Sequence, residues 1–201
     1  MEGAYLVTGA SKGIGRSIAL SIASSGKPVI ALARQSDELE SVRIELLNLQ
    51  SDSIAIACDL GLTTDIVKAT NHISSSFNHL SGIVHNAGTI HPIENMLDAE
   101  ISNWARSINV NLIGVQDLTN RLSQSIGGST HTRITTISSG AAKRSIHGWS
   151  AYCVSKAGLD MWSMCMAEEG DERNISSLSI APGIVDTGMQ EDIRGADVGS
   201  F

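Results

Sequence analysis

With 201 residues, a formal charge of -7, and 42% apolar but only 3% aromatic residues, the chain has the length for one domain whose core must be aliphatic. Its 14 basic residues are scattered among 21 acidic ones, which speaks against a nucleic-acid or anionic-membrane surface, and no apolar run reaches the roughly 18 to 20 residues of a membrane span. Cys58, Cys153 and Cys165 form no C-x-x-C pair, so neither a disulfide framework nor a zinc site is expected, and the absence of a signal-peptide pattern points to the cytoplasm.

The first apolar run, residues 4–10, predicts a strand that passes through TGASKGIG into a helix over residues 13–24. Such a turn brings unpaired backbone N–H groups and the positive end of a helix dipole to one place, which suits a pyrophosphate. Gly9, Gly13 and Gly15 let the backbone approach it, with Ser11, Lys12 and Ile14 completing the contact surface. The second strand, 28–34, ends on Arg34. In dinucleotide sites an acid here would take a ribose 2′-hydroxyl, whereas an arginine accepts a 2′-phosphate. Lys12 adds a second cation, so NADP(H) is favoured over NAD(H). Asp37 belongs to the start of the next helix, 37–50, in which Leu39, Val42, Leu46 and Leu49 line one face.

Strands follow at 53–59, 82–88, 133–139 and 175–183, separated by helical stretches at 63–77, 98–125 and 151–169. All six strand runs are continuously apolar rather than alternating, as in strands covered on both faces. The fold class is therefore α/β: a doubly wound, Rossmann-like parallel sheet, with ligands expected at the carboxyl ends of the strands. With no linker, repeat or low-complexity tract, residues 1–201 read as a single dinucleotide-binding and catalytic domain.

Within the helix at 151–169, Tyr152 and Lys156 stand four residues apart, on one face and about 5 to 6 Å from each other. A lysine cation so placed stabilises tyrosinate and lowers the phenol pKa from its usual value near 10. Alone, this spacing would equally fit a packed ring with a lysine passing by. Its context is more telling: Ser139 lies thirteen residues before Tyr152, HNAG closes the fourth strand, and NVNLIG lies in the preceding helix.

Taken in order, these motifs resemble the classical short-chain dehydrogenase/reductase family: T-G-x-x-x-G-x-G from Thr8 to Gly15, N-A-G at 86–88, Asn111, Ser139, Tyr152, Lys156, and P-G at 182–183. The resemblance implies that Tyr152 is the general acid in carbonyl reduction and that Lys156 holds the ribose hydroxyls and tunes the phenol. It further implies that Ser139 bonds the substrate oxygen and that Asn111 holds a water refilling the proton path. Asp59 would meet the adenine; Asn86, Ala87 and Gly88 would line the adenine-ribose side; Pro182, Gly183, Val185 and Thr187 would meet the nicotinamide end. Ser138 and Asn109 read as ordinary polar partners, and His72, His79, His85, His91 and His131 as surface or filler residues.

GWSAYCVSK and PGIVDTGMQ further resemble the sepiapterin reductase and benzil reductase subgroup, which implies reduction of ketones or vicinal dicarbonyls with His147 and Trp149 flanking the substrate. Other short-chain substrates, such as sugars, steroids or 3-oxoacyl thioesters, remain open. The family continues past P-G-x-V-D-T with a helical lid and a seventh strand. The residues through GADVGSF are too few for them, so six strands and a C-terminally short domain are expected. A catalytically idle NADP-binding or interaction protein is the alternative reading. Homodimerisation is expected through the helices holding Asn111 and Tyr152, where MWSMCM at 161–166 supplies an apolar run.

Overall fold

Short Ile- and Val-rich runs cannot bury both faces alone, and here they assemble into one parallel sheet. The computed structural model describes residues 3–183 together with 185, 188, 189 and 195. Its strands are β1 (Ala4–Thr8), β2 (Val29–Ala33), β3 (Ile54–Ala57), β4 (Leu80–His85), β5 (Thr132–Ile137) and β6 (Ile175–Ile180). They lie in the order β3-β2-β1-β4-β5-β6, every pair parallel. The chain winds outward from β1 to β3 and then returns to place β4 beside β1. That reversal opens a crevice at the carboxyl ends of β1 and β4.

Helices α1 (Gly13–Ser24), α2 (Asp37–Leu49), α3 (Thr63–Ser76), α4 (Ile101–Ile108), α5 (Gly114–Arg121) and α6 (Ser150–Gly170) cover the sheet. Successive β2 residues serve opposite faces: Ile30 and Leu32 join the core under α3 and α5, while Val29, Ala31 and Ala33 join the one under α1 and α2. This period-two division is why a two-sided strand reads as an unbroken apolar run. Fully burying an aliphatic side chain such as Leu6, Ile83 or Ile134 stabilises the fold by roughly 1.5–3 kcal/mol.

Three departures from the expected elements matter. The strands end before their apolar runs do: β1 stops at Thr8, β4 at His85 and β6 at Ile180. Beyond Thr8 the chain turns at Gly9, whose φ is 64°, and the residues cut from each strand become cleft-lining loops. The long helix expected at 98–125 is α4 and α5 joined by a π-helical turn, Asn109–Ile113. Gly114 follows it, and a β-carbon there would overlap the Leu60 carbonyl. In α2, Leu39, Val42 and Leu46 are buried, but Leu49 is half exposed; as the last helical residue it has no following turn to cover it. Asp37 does begin α2, with Ser36 as the cap whose hydroxyl accepts from Leu39 N–H.

His85 is no surface residue. It is fully buried, its ring edge-on to Trp162, with Nε2 2.9 Å from Thr119 Oγ1. The Thr119 hydroxyl gives its proton to the Val115 carbonyl and so accepts from His85 Nε2–H. Burial pushes the imidazole from 6.5 down to about 3. The folded state thus holds it neutral while the unfolded chain protonates it. Stability from this residue is complete above about pH 6.5 and is lost on acidification, at roughly 1.4 kcal/mol per pH unit, until the folded-state value is reached. Urea unfolding of His85→Gln is expected to show a shallower fall between pH 7.5 and 5.5 than the parent; parallel curves would refute this.

Candidate active site

The first β-α turn and the end of β4 are fastened to each other. Thr8 Oγ1 accepts from the backbone N–H groups of Asn86 and Ala87, both at 3.0 Å, and Asn86 Nδ2 donates to the carbonyls of Thr8 at 3.0 Å and Gly9 at 3.2 Å. Gly15 packs so closely beneath that an added methyl would overlap the Gly9 carbonyl and the Asn86 amide. Asn86 is thus a strut of the glycine turn as well as a residue of the cleft wall.

A cleft of about 1410 Å³ opens above these strand ends. Among the expected cofactor residues, Gly9, Ser11, Lys12, Gly13, Ile14, Arg34, Asp59, Asn86, Ala87, Gly88, Pro182, Gly183 and Val185 line it. Gly15 supports it from behind, and Thr187 lies outside the described residues. The N-terminus of α1 has no side-chain cap and no acidic residue in its first turn. That of α2 has both, a Ser36 cap followed by Asp37, Glu38 and Glu40. Of these two helix ends, that of α1 therefore presents uncompensated N–H groups and positive dipole to a bound anion. Lys12 and Arg34 both line the cleft, so the residues fit a pyrophosphate and a further phosphate.

Asp59 is engaged within the protein. Its Oδ1 accepts from Gly61 N–H at 2.8 Å, and its Oδ2 pairs with Arg106 on α4 at 2.6 Å. Arg106 also lines the cleft, a placement that no sequence motif announced, because α4 and the loop after β3 meet only in the folded chain.

The side chains expected to react also line the cleft, beyond β5 and on α6. Ser139, just past β5, caps a 3₁₀ turn at Gly140–Ala142, its hydroxyl accepting from Ala141 N–H at 3.2 Å. The same hydroxyl acts to lower the Tyr152 pKa. Tyr152 packs against Ile90 and Ala141, with Trp149 edge-on at 6.0 Å. Lys156 Nζ donates to the Ile137 carbonyl at 2.7 Å and lies 5.7 Å from the Tyr152 ring centre.

The expected tuning of the phenol is corrected here. Burial holds the Tyr152 pKa above its ordinary value, with the Ser139 hydroxyl working against it and Cys153 with it. The Lys156 ammonium donates to the Ile137 carbonyl at the end of β5. Its own pKa falls to about 8 through desolvation, against which Asp160 works. At neutral pH the site thus offers a protonated phenol and a mostly protonated amine.

Asn111 is fully buried behind this wall. Its Oδ1 accepts from Thr89 N–H at 2.8 Å, and its Nδ2 donates to Thr89 O at 2.8 Å and Ser155 Oγ at 2.9 Å. Ser155 in turn donates to the Tyr152 carbonyl at 2.9 Å. The side chain expected to hold a water therefore spends its amide tying the loop after β4 to α6. Thr89 and Ser155, the partners that give it this role, carried no motif of their own. Trp149 lines the cleft, whereas His147 is exposed and is not among the lining residues. Ser138 is buried, its backbone N–H bonded to Ile180 O.

Residues 4–197 match the family model described as short chain dehydrogenase. The chain is 34% identical to a benzil reductase ((S)-benzoin forming) of Bacillus subtilis over 98% of this chain and 80% of that protein. It is 37% identical to an L-xylulose reductase of Caenorhabditis elegans, over 93% and 73% respectively. Among solved structures, a putative short chain dehydrogenase from Escherichia coli complexed with NADPH superposes with a TM-score of 0.88 at 26% identity, covering 98% of this chain and 83% of that one.

Proposed function

The chain belongs to the short-chain dehydrogenase family of oxidoreductases, and on that premise we propose that it is an NADPH-dependent carbonyl reductase acting on ketones or vicinal dicarbonyls. The observation that carries this reading is a single cleft lined by the uncapped end of α1, Lys12 and Arg34 together with Ser139 and the protonated Tyr152 phenol. Benzil reductase and NADPH-complexed relatives support the substrate class and the cofactor.

When bound, the nicotinamide supplies the hydride. The α1 N-terminus and Gly9 would hold the pyrophosphate, Arg34 and Lys12 the 2′-phosphate, and Lys156 the ribose hydroxyls. Ser139 orients the substrate oxygen, since a hydroxyl can either donate or accept as a carbonyl becomes an alcohol. Tyr152 gives its proton to that oxygen as charge develops there. Trp149 and Ile90 form an apolar wall at this end, which suits aryl or alkyl groups beside the reacting carbonyl. NADPH oxidation should be measured with benzil, other vicinal dicarbonyls, sepiapterin and simple ketones. Turnover with dicarbonyls is expected; tight NADPH binding without turnover on any of them would favour the idle binding protein instead.

Three free cysteines suit a reducing cytoplasm. We further propose a homodimer through α4, the π turn and α6. The MWSMCM run divides in the fold, with Trp162 and Met166 packing inward and Met161 and Met164 exposed, near 60% each. Ile101, Ile113 and Val154 are also exposed apolar residues of these elements. Sedimentation at micromolar concentration is expected to give a dimer that Met161→Glu with Met164→Glu dissociates; a stable monomeric parent would refute it.

A further inference from the structure

The face of α6 that carries Tyr152 and Lys156 has a third polar member one turn further along. Asp160 lies four residues beyond Lys156, as Lys156 does beyond Tyr152. Its carboxylate accepts from Ser179 Oγ on β6 at 2.6 Å and pairs with Lys143 Nζ at 2.9 Å, and its side chain is only 13% exposed. Asp160 therefore joins three segments: the turn after Ser139, the helix of Tyr152, and the strand that leads to Pro182.

Sheet register sets the backbones that anchor these two side chains close together. Lys156 is anchored on the Ile137 carbonyl at the end of β5, and Ile137 pairs with Ile180, while Ser179 pairs with Thr136. The two anchor points are thus one strand spacing and one residue apart, roughly 6 Å. Interactions between charges at such a range are strong where water is scarce.

We propose that Asp160 is a positioning residue that keeps the Lys156 ammonium charged in its buried site, with Lys143 setting how much of the carboxylate's charge Lys156 feels. Burial works against the ammonium and Asp160 is the group that opposes it. The other titratable neighbours are Tyr152 and Cys153 on the same helix and Lys143 from the turn after β5. Asn111 and Gly88, which approach from the π turn and the end of β4, are uncharged. The consequence for catalysis rests on the role of Lys156 given above; the measurement does not.

The test follows the ε-carbon resonance of Lys156 against pH in protein carrying ¹³C-lysine, assigned by its disappearance in Lys156→Arg. The parent is expected to titrate at about 8. Asp160→Asn should lower the midpoint by about one unit, and Lys143→Met should raise it, because it unmasks the carboxylate. The pH limit of NADPH oxidation should move with the midpoint in both variants. An unchanged midpoint in Asp160→Asn, or shifts of the same sign in both variants, would overturn the proposal. Should Asp160→Asn fail to fold, Lys143→Met decides alone: a rise supports the proposal and no change overturns it. Opposite shifts in a protein that turns over no carbonyl would leave the Asp160 role standing and remove the proposed function.

Discussion

Tyr152→Phe is expected to lower kcat by roughly 10²- to 10⁴-fold, the range for loss of a positioned general acid, with NADPH binding nearly unchanged. The ring sits in an apolar cluster with Ile90 and Ala141, so phenylalanine keeps the packing and removes only the hydroxyl. That hydroxyl is held protonated by burial, and Ser139 acts on its pKa in the opposite direction. A carbonyl approaching Ser139 therefore meets a donor already at the correct protonation state through neutral pH. Stopped-flow NADPH oxidation with a turned-over dicarbonyl, beside fluorescence titration of NADPH, separates the two effects. A variant with parental kcat would show that another group supplies the proton.

The second large effect concerns the cofactor. Arg34→Ala is expected to raise the dissociation constant for NADPH by roughly 10- to 100-fold, as for loss of a hydrogen bond to a charged group, and to leave NADH almost unaffected. Arg34 follows directly after β2, where the strand end and the start of α2 border the cleft. The first turn of α2 is already occupied by acidic residues, and Glu38 lines the cleft beside Lys12. The helix end there offers a phosphate little, so the basic side chains must hold it. Equal losses for NADPH and NADH in calorimetric titrations would place the 2′-phosphate elsewhere.

How the expected elements compare with the observed ones follows one pattern. Local physics located the strands and most helices, because two-sided burial leaves unbroken apolar runs and one-sided burial leaves spaced ones. It misjudged where β1, β4 and β6 end. Gly9, Asn86 to Gly88 and Pro182 leave the ladder to line the cleft. The π turn was likewise invisible, and Gly114 after it packs against the Leu60 carbonyl, 54 positions away by number but adjacent in the fold.

The site shows the same division. Spacing alone put Tyr152 and Lys156 on one helical face, and ordered motifs joined them to Ser139, Asn111 and the glycine turn. What those groups do to one another depended on tertiary neighbours. Lys156 donates to Ile137 O, Asn111 clamps Thr89, and Asp59 is engaged by Arg106. The amino-acid order by itself determined the α/β class and the glycine turn, because periodicity and short-range spacing encode them, while the candidate reacting residues came from ordered motifs that resemble the family. Only the tertiary structure decided where each charge points and that the phenol is raised rather than lowered in pKa. Desolvation and hydrogen-bond partners come from segments that meet across the sheet, and no local pattern records them.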